Sequence, residues 1–203
     1  MLDRKTILIV QTLLSDLAKL LFKKNIRANT LTIVGFSIGL LSVPCIINGW
    51  FLLGVLLILI NRIFDALDGM VARLSSSSDL GAFLDITLDF IFYATVPVSF
   101  AFYNPVQNAL PALILVLSFV GTGSSFLAFS IIAQKRNFSA KYYSLKGIYY
   151  SVGLIEGTET ILTFILMCLF PNYFPVIAYL FSIACFVTVL IRIKSGWSAF
   201  SDK

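Results

Sequence analysis

The chain has 203 residues, 59% of them hydrophobic and only 12% charged, with a net charge of +5 and a mean hydropathy of +0.95. Soluble chains carry about 25% charged residues, so a soluble globule is excluded, and a surface this apolar is tolerated only by lipid. The absence of histidine removes imidazole catalysis, His metal sites and Ser-His-Asp triads, while Cys45, Cys168 and Cys185 sit singly in apolar runs as packing residues, without the spacing of a zinc or redox site.

Residues 1–27 have basic residues on both sides of the apolar stretch and no small-residue cleavage site, unlike a secretory signal. Val10, Leu13, Leu14, Leu17, Leu20 and Leu21 recur at helical spacing opposite Gln11, Thr12, Ser15, Asp16, Lys19 and Lys23. This predicts an amphipathic helix lying along the membrane interface, the alternative being a short helix docked on the bundle. Apolar runs long enough to cross a bilayer follow at residues 30–48, 50–74, 79–103, 106–133, 149–171 and 173–193. They are broken at Asn48-Gly49, the serine run Ser75 to Ser78, Asn104-Pro105, the polar stretch Gln134 to Lys146, and Pro171-Asn172. The expected fold is therefore all-α: a polytopic membrane bundle of six transmembrane helices behind an interfacial amphipathic helix, forming one domain over residues 1–203.

Six Lys and Arg precede the first span, Arg73 stands at the second connection, four lie in the fourth connection and three come at the end of the last span; the odd-numbered connections have none. By the positive-inside rule both termini and the even-numbered connections face the cytoplasm. Gathered on that side, the positive charge suits the anionic leaflet or a phosphate-bearing substrate. No nucleic-acid motif is present, so nucleic acid is not an expected partner.

The second and third spans carry the chemistry. Four aspartates, Asp65, Asp68, Asp85 and Asp89, lie in apolar helices, where each costs about 2.5 to 3.5 kcal/mol if central and unpaired. At about 100° per residue Asp65, Asp68, Gly69 and Ala72 share one face of the second span, and Gly81, Asp85 and Asp89 one face of the third. Counted from the turn between Ser76 and Ser77, Asp68 and Asp85 lie about 8 to 9 residues deep, and Asp65 and Asp89 about 11 to 13 residues deep, some ~12 to 20 Å at ~1.5 Å per residue. An antiparallel hairpin sets the pairs opposite each other. Four carboxylates in one pocket repel one another, and only Arg62 and Arg73 are near in sequence. A hard divalent cation, Mg2+ or Mn2+, is the economical partner, and two such ions leave the cluster neutral and suited to phosphoryl chemistry. Gly69, Ala72 and Gly81 strip side chains from the pocket wall, for a flat base or a pyrophosphate or simply for helix packing.

These residues complete a signature. Asp65, Asp68, Gly69, Ala72 and Arg73, then Gly81, Asp85 and Asp89 after seven residues, fill D-x2-D-G-x2-A-R…G-x3-D-x3-D, and in this the chain resembles the CDP-alcohol phosphatidyltransferases. The resemblance extends to Asn29-Thr30-Leu31-Thr32, with Ala28 where many members carry a proline, and to the length, six helices and amphipathic start. It implies that Asp65, Asp68 and Asp85 hold the metals. Asp89 is implied as the general base and a further ligand. Gly69, Ala72 and Gly81 are implied to admit the cytidine nucleotide, alongside Asp65 and Asp68, and Arg73 to bind phosphate. The chain is most similar to a branch from the bacterial inner (plasma) membrane with Gly-x2-Glu-Gly-x-Glu before the fifth span, here Gly153 to Glu159, for which the resemblance assigns no acceptor.

The expected reaction is displacement at the phosphorus bearing the lipid: CMP leaves a CDP-linked lipid, CDP-diacylglycerol being the expected donor, while Asp89 takes the proton of a small alcohol acceptor. Asn61-x3-Asp65 and Asp85-x3-Asp89 also suggest an intramembrane Mg-dependent prenyltransferase, but those enzymes carry their two acidic motifs on separate halves of a larger bundle. A divalent cation transporter is the non-enzyme alternative. Glu156 and Glu159, three apart on one helix face, either line the acceptor pocket or pair with Lys146, Arg62 or Arg73. Lys135, Arg136, Lys141 and Lys146 are either positive-inside anchors or an acceptor-phosphate site. Gly121, Gly123, Ser124 and Ser125 offer a stripe for helix packing or a homodimer contact.

Overall fold

The computed structural model describes residues 2–75, 78–136 and 155–201, with side chains from Thr12 onward. Among these residues the regular structure is entirely helical: α1 (Leu2–Lys23), α2 (Ala28–Leu40), α3 (Ser42–Ile47), α4 (Phe51–Leu74), α5 (Asp79–Tyr103), α6 (Pro105–Lys135), α7 (Gly157–Leu169), a 3-10 turn (Pro171–Tyr173) and α8 (Phe174–Phe200).

Among the described residues, four segments are long and apolar enough to cross a membrane: Ala28–Ile47, Asp79–Tyr103, Pro105–Lys135 and Pro171–Phe200. Of the other two predicted spans, α4 has the length, with 24 residues, but carries Arg62, Asp65, Asp68 and Arg73. The described part of the fifth, α7, has 13 residues. The protein is a multi-pass membrane protein.

Local chemistry places the boundaries. The first predicted span is two helices, because Pro44 has no N–H for the carbonyl of Leu40 and its ring crowds that carbonyl; the chain breaks at Leu41 and restarts as α3. At Asn48-Gly49 the helix closes with Gly49 at φ 76°, Gly49 N donating to Ile46 O and Trp50 N to Cys45 O, a left-handed cap that glycine adopts without strain. Ser78 caps α5 by accepting the Gly81 N–H on its hydroxyl at 3.1 Å.

The core is aromatic. Phe100 stacks between Phe51 and Phe174, with centroids at 5.8 and 4.5 Å, and Phe164 meets Phe92 and Phe119 edge-on. Ile58, Leu115, Met167 and Cys185 complete this cluster. All three cysteines are buried and free, as expected of packing residues. Gly121 and Gly123 spend their small size inside the chain, since a Cβ on Gly123 would lie 2.7 Å from the Phe90 ring and one on Gly121 3.2 Å from Val189. Helix packing accounts for both.

A second cluster explains α1. Ala18 is fully buried with Leu31, Leu67 and Val71, and Leu14 and Leu21 pack beside them. Leu13, Leu17 and Leu20 stay exposed. One stripe docks on α2 and α4 while the neighbouring stripe faces outward, so α1 combines the two arrangements expected from its periodicity.

Candidate functional site

The site is built on the α4–α5 hairpin. Asp65 and Asp68 stand on α4 and Asp85 on α5, and one carboxylate oxygen from each lies within 4.8 Å of the other two. Asp68 is 6% exposed, and its Oδ2 is buried without a hydrogen-bond partner among the described residues. An orphaned buried carboxylate oxygen is costly. Three converging carboxylates form the hard-oxygen donor set of Mg2+ or Mn2+, so these residues fit the metal their sequence implied.

Asp89 is held differently. Arg62 Nη2 donates to Asp89 Oδ1 at 2.8 Å, and Nη1 reaches Asp65 Oδ2 at 3.5 Å and the Tyr93 hydroxyl at 3.4 Å. Tyr93 in turn donates to Asp89 Oδ2 at 3.2 Å. Arg62 Nε donates to Asn61 Oδ1 at 2.8 Å, and Asn61 Nδ2 to the carbonyl of Gly35 at 3.0 Å, which ties the guanidinium to α2. The Phe92 ring lies under it, 5.5 Å from centroid to Cζ. Thus the deeper pair expected from helical geometry, Asp65 and Asp89, shares one resident cation, while Asp65 also belongs to the three-carboxylate cluster with Asp68 and Asp85 that fits a metal.

Two spaces with shared lining residues lie over these groups. A narrow chamber of about 10 Å³ is lined by Asp65, Asp68, Asp85, Asp89, Arg62 and Thr32. A cavity of about 710 Å³, within the range of small-molecule sites, shares Asp68, Asp85 and Thr32 with it and continues past Gly69, Ala72, Gly81 and Arg73 to Arg27, Ser75 and Ser78. All the non-aspartate positions of the signature therefore line this cavity. They differ in kind. A Cβ on Gly69 would meet only Arg73, with Nη1 at 3.5 Å, whereas one on Gly81 would lie 3.0 Å from Asn29 Oδ1 and 3.2 Å from Ser78 Oγ. Gly69 keeps the cavity clear; Gly81 lets α2 approach α5.

The expected acceptor residues are more scattered. Lys135 and Arg136 are exposed at the end of α6, with Arg136 over the Phe200 ring at 5.7 Å, and neither lines the aspartate cavities. Lys146, Lys141 and Gly153 lie outside the described residues. Glu156 and Glu159 form a capping box at the start of α7, each side chain accepting the other's backbone N–H. Arg62 is engaged with Asp65 and Asp89, not with either glutamate.

Sequence reasoning missed Tyr93 and Arg192. Tyr93 stands one turn beyond Asp89, and a hydroxyl deep in a span must find a partner, a signal that was available. Arg192, counted among the charges at the chain's end, is instead half-buried in the bundle: Nη1 donates to Thr122 O at 2.7 Å, and its guanidinium lies 5.5 Å from the Phe126 ring centroid.

The family model for CDP-alcohol phosphatidyltransferase matches residues 25–193. The chain is similar to inner membrane protein YnjF of Escherichia coli, with 46% identity over 97% of this chain and 96% of that one. Archaetidylinositol phosphate synthase of Pyrococcus horikoshii is 29% identical over 89% of this chain and 88% of its own. Among solved structures, Mycobacterium tuberculosis phosphatidylinositol phosphate synthase (PgsA1) with CDP-DAG bound superposes with a TM-score of 0.67, covering 93% of this chain and 96% of that one at 19% identity, which shows a shared fold.

Proposed function

The chain belongs to the CDP-alcohol phosphatidyltransferase family, and on that premise we propose that it transfers a phosphatidyl group from CDP-diacylglycerol to a small alcohol, releasing CMP. One observation carries this reading: three carboxylate oxygens lie within 4.8 Å of one another, one carboxylate having a partnerless buried oxygen, and two of the three, Asp68 and Asp85, line a cavity of about 710 Å³ together with Gly69, Ala72, Arg73 and Gly81. A donor with diacyl tails suits a site inside a bundle whose outer surface is apolar, and the PgsA1 structure has CDP-DAG bound.

Asp65, Asp68 and Asp85 would hold Mg2+ or Mn2+, in the proposed stoichiometry two ions. When bound, these supply charge neutralisation at the pyrophosphate and at the departing CMP. Arg73, exposed on the cavity wall, offers a guanidinium to phosphate oxygens, and Gly69 and Ala72 leave the nucleotide room against the backbone of α4. Asp89 accepts the acceptor's hydroxyl proton as its oxygen bonds to the lipid-bearing phosphorus and the bond from that phosphorus to CMP breaks. Arg62 and Tyr93 occupy one lone pair on each Asp89 oxygen, orienting a carboxylate whose remaining lone pairs face the chamber.

The proposed arrangement in the membrane is six spans in one domain, with both termini and the cavity mouth on the cytoplasmic side of a bacterial inner membrane. Arg27, Arg73, Ser75 and Ser78 surround that mouth, so it opens at the positive end of the bundle. Incubating the purified protein with CDP-diacylglycerol and a panel of alcohols, then measuring CMP and the mass of the lipid product, tests the reading. A prenyltransferase would release pyrophosphate and a transporter neither product.

A further inference from the structure

Helix α1 divides its surface between two neighbours. One stripe carries Leu14, Ala18 and Leu21 onto α2 and α4. Another carries Leu13, Leu17 and Leu20, spaced four and three apart and therefore in line, at 76, 44 and 47% exposed. Lys24 ends this stripe, four residues beyond Leu20, and Lys23 stands beside it on the polar face. Lys19 is engaged by Asp16 at 3.2 Å, whereas Lys23, Lys24 and Arg27 are exposed and enter no ion pair among the described residues. Such a surface matches an anionic leaflet twice over: acyl chains take the leucines, and flexible lysine stems carry their ammonium groups to headgroup phosphates.

The end of α1 is also part of the cavity of about 710 Å³. Phe22, Asn25, Ile26, Arg27, Ala28 and Asn29 line it, with Asp68 and Arg73 of α4. The link is stiff. Asn25 is left-handed at φ 57°, its N–H donating to Phe22 O at 2.9 Å and that of Ile26 to Leu21 O at 3.1 Å, the bond pair of a Schellman cap. A tilt of α1 is therefore carried into the segment that walls the cavity. The helix has a narrow seat on the protein itself, since among the described side chains of α1 Ala18 alone is buried. Whatever covers the leucine stripe supplies the rest of that seat.

We propose that an anionic leaflet is the partner of this face and that, by seating α1, it sets the affinity of the adjoining cavity for the CDP-linked donor, so that turnover follows the anionic-lipid content of the membrane. The inference rests on the transferase reading and adds a regulator to it. Each cation at an anionic surface is worth about 5-fold in binding, and its effect fades within a Debye length, so the seat tightens with leaflet charge and loosens with salt. In a neutral leaflet the leucine stripe holds that face alone.

The test reconstitutes the full chain with Mg2+ in vesicles of phosphatidylcholine, alone or mixed with phosphatidylglycerol. An environment-sensitive dye on Leu17→Cys reports the seat; Cys45, Cys168 and Cys185 are buried and do not compete for the label. The dye should be better shielded from an aqueous quencher in the mixed vesicles, and less so once Lys23→Gln and Lys24→Gln are combined. CMP release from CDP-diacylglycerol, with a pooled panel of alcohols as acceptor, reports the cavity. The KM for CDP-diacylglycerol should be ~5-fold lower in the mixed vesicles, and raised salt should erase the difference. The double lysine variant should lose that difference while matching the parent in neutral vesicles. Leu17→Ser, which keeps every cation, should lose it too. Equal dye shielding in the two vesicles, or a KM indifferent to their composition, overturns the proposal and leaves the transferase reading standing. So does a full lipid response in Leu17→Ser, since charge at the cavity mouth would then explain it without the seat. No CMP release in any vesicle overturns both.

Discussion

Arg62 on α4 and Asp89 on α5, 27 positions apart in the chain, meet at 2.8 Å through Nη2 and Oδ1. The same guanidinium touches Asp65, Tyr93 and Asn61, so one planar group with several fixed donors sets the angle of the proposed base. Lysine keeps the charge but is a point donor on a flexible stem. Arg62→Lys is therefore expected to lower kcat by ~10-fold or more with little change in the KM for CDP-diacylglycerol. Asp89→Asn should cut kcat further, by ~10²- to 10⁴-fold, because the amide takes no proton. Steady-state kinetics on both variants check this, and near-normal CMP release from Asp89→Asn would reassign the base.

Asp68 gives the prediction for the metal. A ligand that binds only the folded state raises the melting temperature, so Mg2+ or Mn2+ should stabilise the protein in a thermal melt, and Asp68→Asn should abolish that shift. Ca2+, larger and held more loosely, should support little turnover. Full activity in a chelator would remove the metal from the mechanism.

Much of this site was legible in the chain because helices convert spacing into faces: Asp65 and Asp68 at three apart, and Gly81, Asp85 and Asp89 at four apart, could only converge if the two spans formed a hairpin. The depth count even paired Asp65 with Asp89, which share Arg62. Charge counting, by contrast, misread Arg192, because the positive-inside rule sums cations near a span's end without asking whether one turns inward. Glu156 and Glu159 were read as members of one helix face, yet Glu156 is the residue before the helix and its geometry is that of a cap. That depends on where α7 begins, which periodicity does not locate. The break at Leu41 followed from Pro44, a local rule that the long apolar run concealed.

The proposed topology rests on the charge asymmetry. With the cavity mouth at the Arg27 and Arg73 end, a reporter on Asn104 should be accessible from the periplasm and one on Asn137 from the cytoplasm. Labelling in intact cells and in inverted vesicles distinguishes the two sides, and the opposite pattern would put the proposed nucleotide site on a face without nucleotides.

Gly35 and Gly69 separate packing from binding on neighbouring helices. A methyl on Gly35 would sit 2.6 Å from the Cβ of Phe64, a contact that cannot relax without moving α2 away from α4, because Cβ is fixed to the backbone. Overpacking of this kind costs about 1 to 3 kcal/mol. It should also loosen the bond from Asn61 to the Gly35 carbonyl and, through Asn61, the seat of Arg62. Gly35→Ala is thus expected to melt several degrees lower and to lose kcat. A methyl on Gly69 meets only the tip of Arg73, at 3.5 Å, a flexible group that can give way, so Gly69→Ala should melt like the parent. It intrudes instead on the cavity of about 710 Å³, at the wall proposed to face the nucleotide, and should raise the KM for CDP-diacylglycerol several-fold. Thermal melts and steady-state kinetics on the two variants decide the matter: a Gly69→Ala protein that binds CDP-diacylglycerol normally would move the nucleotide off this wall, whatever Gly35→Ala does to the fold.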